Sequence, residues 1–175
     1  MLSIKNLLFL AVAATGSVIK RDAAEVKQGL QTINSDTSAV TAAVNNYNGG
    51  GFTNAVPIVT AQQQLSKDVK ETTETAKNTG VVNDADANDI INYITGTLQP
   101  NIAASLAALK AKKANFDADG LTPIVKSSLT DLKTDTDKLG AALIAGTPAG
   151  LQEQAKAIQK KIDADFADAI AFFSS

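Results

Sequence analysis

Residues 90–113 read IINYITGTLQPNIAASLAALKAKK, and the spacing of their apolar positions decides the fold. Ile91, Ile94, Leu98, Ile102, Leu106 and Leu109 recur at steps of three and four, which places them on one face of an α-helix. The helix begins around Asn83 to Asp86, where acidic side chains suit the positive helix end, and Lys110, Lys112 and Lys113 suit the other. Pro100 removes a backbone donor inside the stretch, so a kink is expected near Gly96 to Leu98.

The same period runs outward in both directions. A first helix, from about Asp22 to Tyr47, opens on Asp22-Ala23-Ala24-Glu25, a capping-box pattern, and carries Val26, Leu30, Ile33, Val40, Val44 and Tyr47. Gly49-Gly50-Gly51 ends it, because three glycines lose too much backbone entropy in a helix. A second helix starts near Asn54, tolerates Pro57 in its first turn, carries Ile58, Ala61, Leu65, Val69, Thr72 and Ala76, and stops at Gly80. Thr122-Pro123 and Thr147-Pro148 each read as an N-cap hydroxyl followed by proline at the first helical position. The helix after Thr122 carries Val125, Leu129, Leu132, Leu139 and Leu143; the one after Thr147 carries Leu151, Ala155, Ile158, Ile162, Phe166, Ala169 and Phe173. Period-two alternation is never sustained, so the expected fold class is all-α: an antiparallel bundle of about five long amphipathic helices with an apolar interior or cavity.

Composition narrows the chemistry. Among 175 residues there is no Cys, no His and no Trp, which excludes a disulfide framework, thiol nucleophiles, imidazole bases and the commonest metal ligands. Sixteen basic residues against 18 acidic ones give no basic field for nucleic acid. Asp84-Ala85-Asp86-Ala87-Asn88 begins like a calcium loop but has Asp89 where glycine is needed and Thr95 where the closing glutamate belongs, so it reads as an acid-decorated helix start. Asp117-Ala118-Asp119-Gly120 reads as a turn, and Asp131, Asp135 and Lys138 as a solvated face. No catalytic or metal residues and no cofactor emerge, and an enzyme is the least favoured reading.

The start of the chain reads as an address. Lys5 precedes the apolar run Leu7 to Ala14, too short to span a bilayer, and small residues follow. The expected organisation is a secretory signal peptide over 1–17, a short propeptide over 18–21 ending in the dibasic pair Lys20-Arg21, and one helical domain over 22–175. No second apolar segment suggests a transmembrane or lipid anchor, so the expected product is secreted and extracellular.

Between Asp22 and Ser175, Val, Ile, Leu, Phe and Tyr number 38 and alanine 27. Helices lined this way either close up through alanine or leave a dry apolar void able to hold a hydrocarbon. Walls for such a void would come from Leu30, Ile33, Thr37 and Val40; Leu65, Val69 and Thr72; Ile94 and Leu98; Ser128, Leu129 and Leu132; and Ile158 and Ile162. The hydroxyls of Thr37, Thr72 and Ser128 would each bond a carbonyl one turn back or meet a ligand head group.

The layout from Asp22 to Phe173 resembles the fungal hydrophobic surface-binding protein A family, also called cell-wall galactomannoproteins. The resemblance rests on Lys20-Arg21, Tyr47-Asn48-Gly49-Gly50 before Phe52, the helix through Leu65 and Val69, Ile90-Ile91, Leu139-Gly140-Ala141-Ala142-Leu143 and the terminal amphipathic helix. It implies a bundle enclosing fatty acids or another long-chain lipid, and adsorption to hydrophobic surfaces. The alternative reading is a surface-adsorbing protein that recruits a secreted hydrolase, or a cell-wall mannoprotein. N-terminal sequencing of the secreted protein is expected to find Asp22, and a terminus at Ser17 or Val18 would exclude dibasic processing.

Overall fold

The computed structural model of the chain describes residues 23–174; the leader, Lys20, Arg21 and the expected capping box at Asp22 lie outside the described residues. The helices are α1 (Ala23–Asn46), α2 (Phe52–Thr79), α3 (Asp84–Tyr93), α4 (Gln99–Ala111), α5 (Lys113–Ala118), α6 (Thr122–Ala145) and α7 (Gln152–Phe172). No strand occurs among the described residues. The α3 and α4 segments form one rod joined by a π turn, Ile94–Leu98, so the five expected helices are all present. A sixth, the short α5, corrects the expected count: the Lys110-to-Lys113 run does not end the helical chain but leads into another turn and a half that buries Phe116.

The expected kink takes the form of the π turn. Pro100 has no N–H to offer, and the Gln99 amide reaches back five residues to the Ile94 carbonyl. Repeated steps of four drift about 40° per step around an α-helix, because 3.6 residues make a turn. The wider turn absorbs that drift and keeps Ile94, Leu98 and Ile102 facing inward.

Lateral packing closes a ring in the order α1, α2, α6, α7, α4 and back to α1. Direction follows from the pairings. Gly29 meets Thr72, and Lys133 meets Asp163 while Gln159 meets Asp137, so α1/α2 and α6/α7 are antiparallel as expected. The other three contacts correct that expectation. Lys27 pairs with Asp89 and Asn101 with Asn34, Ser66 bonds Asp135 while Val82 bonds Gly146, and Gln99 bonds Asp165 while Phe116 meets Phe173. These make α1/α4, α2/α6 and α4/α7 parallel. An odd number of rods cannot alternate all the way round a closed ring.

Both expected threonine caps are also corrected. Thr122 is already helical and its hydroxyl donates to Asp117, while the Thr147 hydroxyl donates back to the Leu143 carbonyl at 2.8 Å. Pro148 then precedes a short 3₁₀ turn, Ala149–Leu151, before α7. Helix α2 starts two residues earlier than expected, so Pro57 lies inside it. At the α3 start the acid-rich reading holds: Asn83 accepts the Asp86 amide at 2.9 Å.

The α1/α2 seam contains a carboxyl pair. Asp36 on α1 is half-buried beside Asp68 on α2, and its buried Oδ2 has no hydrogen-bond partner among the described residues, a setting that favours the protonated carboxyl. Burial first, and Asp68 second, push the Asp36 carboxyl up to about 6. Between about pH 4 and 6 the folded chain keeps a proton that the unfolded chain has released, so the pair's contribution is full below pH 4 and is lost as pH rises through 6. Asp36→Asn keeps a donor toward Asp68 without the charge. Chemical denaturation is expected to find the variant about 1–2 kcal/mol more stable than the parent at pH 7, allowing for solvent screening, and equal at pH 4.

Candidate functional site: a cavity inside the helix ring

The ring's geometry creates its interior. Neighbouring helices about 9 Å apart put five axes about 8 Å from a common centre, and helices with their side chains extend about 5–6 Å from the axis. A central gap of about 2–3 Å radius follows, roughly the cross-section of an alkyl chain. At this place the structure has an apolar pocket of about 150 Å³. It is walled from Ile124 to Ile144 along α6, about 30 Å at 1.5 Å per residue.

Thirteen of the fourteen positions expected on such a wall lie on it. Helix α1 supplies Leu30, Ile33, Thr37 and Val40; α2 supplies Leu65 and Val69; the π turn supplies Ile94 and Leu98. Helix α6 supplies Ser128, Leu129 and Leu132, and α7 Ile158 and Ile162. Leu132 and Ile158 are only half-buried, whereas Leu30, Leu65 and Leu98 are buried. The exception is Thr72, which is buried against Gly29 in the α1/α2 seam: a Cβ at Gly29 would come within 2.5 Å of its Oγ1. Thr72 therefore closes a seam and meets no cavity.

Among the described residues no charged side chain lines the cavity, and seven polar ones do. Three are satisfied by protein: Thr37 donates to the Ile33 carbonyl at 2.8 Å, Thr147 to Leu143, and Gln159 to Asp163 at 2.7 Å. The side chains of Gln62, Ser105, Ser128 and Thr136 donate to no acceptor among the described residues. The parallel α2/α6 register, fixed by Ser66 against Asp135, sets Gln62 about level with Asp131, roughly one turn deeper than Ser128. Gln62 was invisible to a search for apolar stripes because it lies on the edge of one.

The α2/α6 seam changes character along its length. At its middle Asp135 is buried and accepts from Ser66 at 2.9 Å, with Lys70 at 3.2 Å and Lys138 at 3.5 Å. This latch corrects the solvated-face reading of Asp135, which comes from α6 alone and omits what α2 brings across. Toward the helix starts, Phe52 on α2 and Ile124 on α6 line the cavity yet are 55% and 46% exposed, so the cavity reaches the surface between them. Both positions escaped the sequence reading: Phe52 fell before the expected helix start, and Ile124 sits beside the stripe residue Val125.

Near this portal the glycine turn is anchored. Gly49, Gly50 and Gly51 all hold positive φ, at 88°, 99° and 78°, which side chains disfavour. Asp119 accepts the Tyr47 hydroxyl, and that bond together with the Gly51 and Gly50 amides holds its carboxyl below the usual range. Burial, then Asp119, pushes the Tyr47 phenol up to about 12. Tyr47 stacks on Phe116 with centroids 4.9 Å apart, and Phe116 closes this pole of the cavity. Among the described residues no group of three or more acids is placed to hold a metal, and no helix is long and apolar enough to cross a membrane.

Comparison with known proteins gives the geometry a context. Residues 23–145 match the model of a family described as Hydrophobic surface binding protein A. Cell wall mannoprotein 1 of Aspergillus fumigatus is 28% identical over 159 residues, covering 86% of this chain and 54% of that protein. The chain thus spans about half the length of the curated relative it matches. The crystal structure of AFMP4P in complex with palmitic acid is 34% identical, with a TM-score of 0.83 over 87% of this chain and 99% of that one. Ligand binding domain 1 of the Penicillium marneffei MP1 protein, complexed with arachidonic acids, shares the fold at 18% identity, with a TM-score of 0.81 over 88% of this chain and 100% of that one.

Proposed function

As this chain belongs to the hydrophobic surface binding protein A family, we propose that it is a secreted fungal lipid-binding protein that encloses one long-chain fatty acid in the cavity of its helix ring. The observation that carries this reading is the cavity: a long space with no charged side chain among the described residues on its wall. The 34% identical structure holding palmitic acid supports it. The role is one of binding rather than catalysis. Residues 1–17 act as leader and 18–21 as propeptide in this reading, and the mature domain works outside the cell or at the cell wall.

The tail supplies the affinity. Each methylene removed from water contributes about 0.8 kcal/mol, so some twelve contribute about 10 kcal/mol. Ordering offsets several kcal/mol of that, which leaves a dissociation constant near micromolar. The carboxylate needs donors, and Arg21, the sole arginine, lies in the segment expected to be removed. Thr37 has committed its only hydroxyl proton to the Ile33 carbonyl, so it cannot donate to a carboxylate. Ser128 and Gln62, which line the cavity about one turn apart on neighbouring helices and have no protein acceptor, are the donors of choice.

A second reading, adsorption to hydrophobic surfaces with recruitment of a secreted hydrolase, draws on the exposed Phe52 and Ile124. Titration calorimetry across saturated acids from decanoic to arachidic separates the two. Enclosure predicts affinity rising about fourfold per methylene and then levelling once the cavity is filled. Leu98→Trp, still folded by thermal melt, is expected to weaken binding at least tenfold. Undetectable binding at every length would refute enclosure.

A further inference from the structure

From Thr37 to Ser66 the chain carries no Asp, Glu, Lys or Arg, a run of 30 residues in a protein that is 19% charged. The run comprises the end of α1, the glycine turn and the first half of α2. Across the seam, Gly120 to Thr130 contains only Lys126. The two uncharged segments meet at the portal. Phe52 and Val56 stand one turn apart on α2, 55% and 43% exposed, with Ile124 opposite at 46%. The polar groups nearby, Thr53, Asn54 and Thr60, are neutral. Elsewhere the seams are fastened by ions: Lys27 with Asp89, Lys70 with Asp135, Lys110 with Asp168, and Lys133 with Asp163.

We propose that this uncharged lip is a lipid-docking surface: Phe52, Val56 and Ile124 enter a neutral lipid–water interface, and a fatty acid passes between that interface and the cavity through the α2/α6 seam. The inference rests on the fatty-acid reading and adds the surface through which the ligand is exchanged. An apolar rim continuous with the cavity spares the tail a crossing through water. Phe52, Val56 and Ile124 enter an interface with no ion among them to desolvate, while the neutral hydroxyls and amides beside them keep partners at head-group depth. The seam opens only above the Asp135 latch, so exchange occurs at the lip and not along the bundle.

Stopped-flow transfer of a fluorescent fatty acid from the mature chain to phosphatidylcholine vesicles tests this. The rate is expected to rise in proportion to vesicle concentration, as transfer by collision requires. Val56, which does not line the cavity, is the informative position: Val56→Glu is expected to slow transfer about tenfold with affinity in solution unchanged, and Val56→Leu to restore it. Val81→Glu, at a site 63% exposed in the turn at the opposite pole, is expected to transfer at the parental rate. A rate independent of vesicle concentration, or equal slowing by Val81→Glu, would overturn the proposal. So would a dimer in sedimentation that Val56→Glu dissociates, since the lip would then be covered by a second copy. Flotation with phosphatidylcholine vesicles free of fatty acid separates this failure from that of the ligand: Val56-dependent flotation without fatty-acid binding supports the docking surface and refutes enclosure.

Discussion

Five helices that pack chiefly against their ring neighbours leave an axial space that side chains of ordinary length do not fill. The void is therefore a consequence of closure rather than of missing atoms. Alanine does a different job from the one its abundance suggests. Among the described residues Ala55 and Ala155 are the only alanines on the wall, while Ala23, Ala76, Ala142 and Ala169 are buried without lining it. Small residues draw neighbouring helices together around the ring, and Leu, Ile and Val point into the middle without meeting there. The two outcomes open from composition, close packing and an apolar void, coexist at different radii.

What the sequence made legible is what depends on one helix at a time. Steps of three and four identify the rods, and the stripes identify thirteen wall positions because a stripe must face inward wherever its helix is placed. What depends on two helices was hidden. Asp135 looks solvated on α6 until α2 brings Ser66 and Lys70 beside it. Thr72 looks like a wall residue until Gly29 shows which neighbour it serves. The parallel neighbours were equally out of reach, since short turns report that successive rods reverse but not which rods become adjacent. Helix α5 is too short for any period to show.

Electrostatics divides the molecule along its length. Ion pairs fasten seams from outside, as at Lys133 with Asp163 and Lys110 with Asp168. None of these groups reaches the interior, so the cavity's chemistry is set by neutral donors alone. Charged groups touch the uncharged hairpin only as anchors: the Asp119 carboxylate holds a glycine turn that has no side chains of its own with which to pack, Lys112 donates to Asn48, and Asp135 accepts from Ser66.

The parity of the ring has one more effect. Five rods traversed in alternating directions bring the chain in at one pole, where Lys27 meets Asp89, and out at the other, where Phe173 packs near Phe116. The domain is thus a strut as well as a container, separating whatever is joined at its two ends by about the length of α1, roughly 36 Å. Copies strung in tandem would advance along a line instead of folding back on one another, each presenting its opening toward the same end. A stalk attached after α7 would leave from the pole that carries the portal, whereas one attached before α1 would hold that portal farthest from its point of attachment.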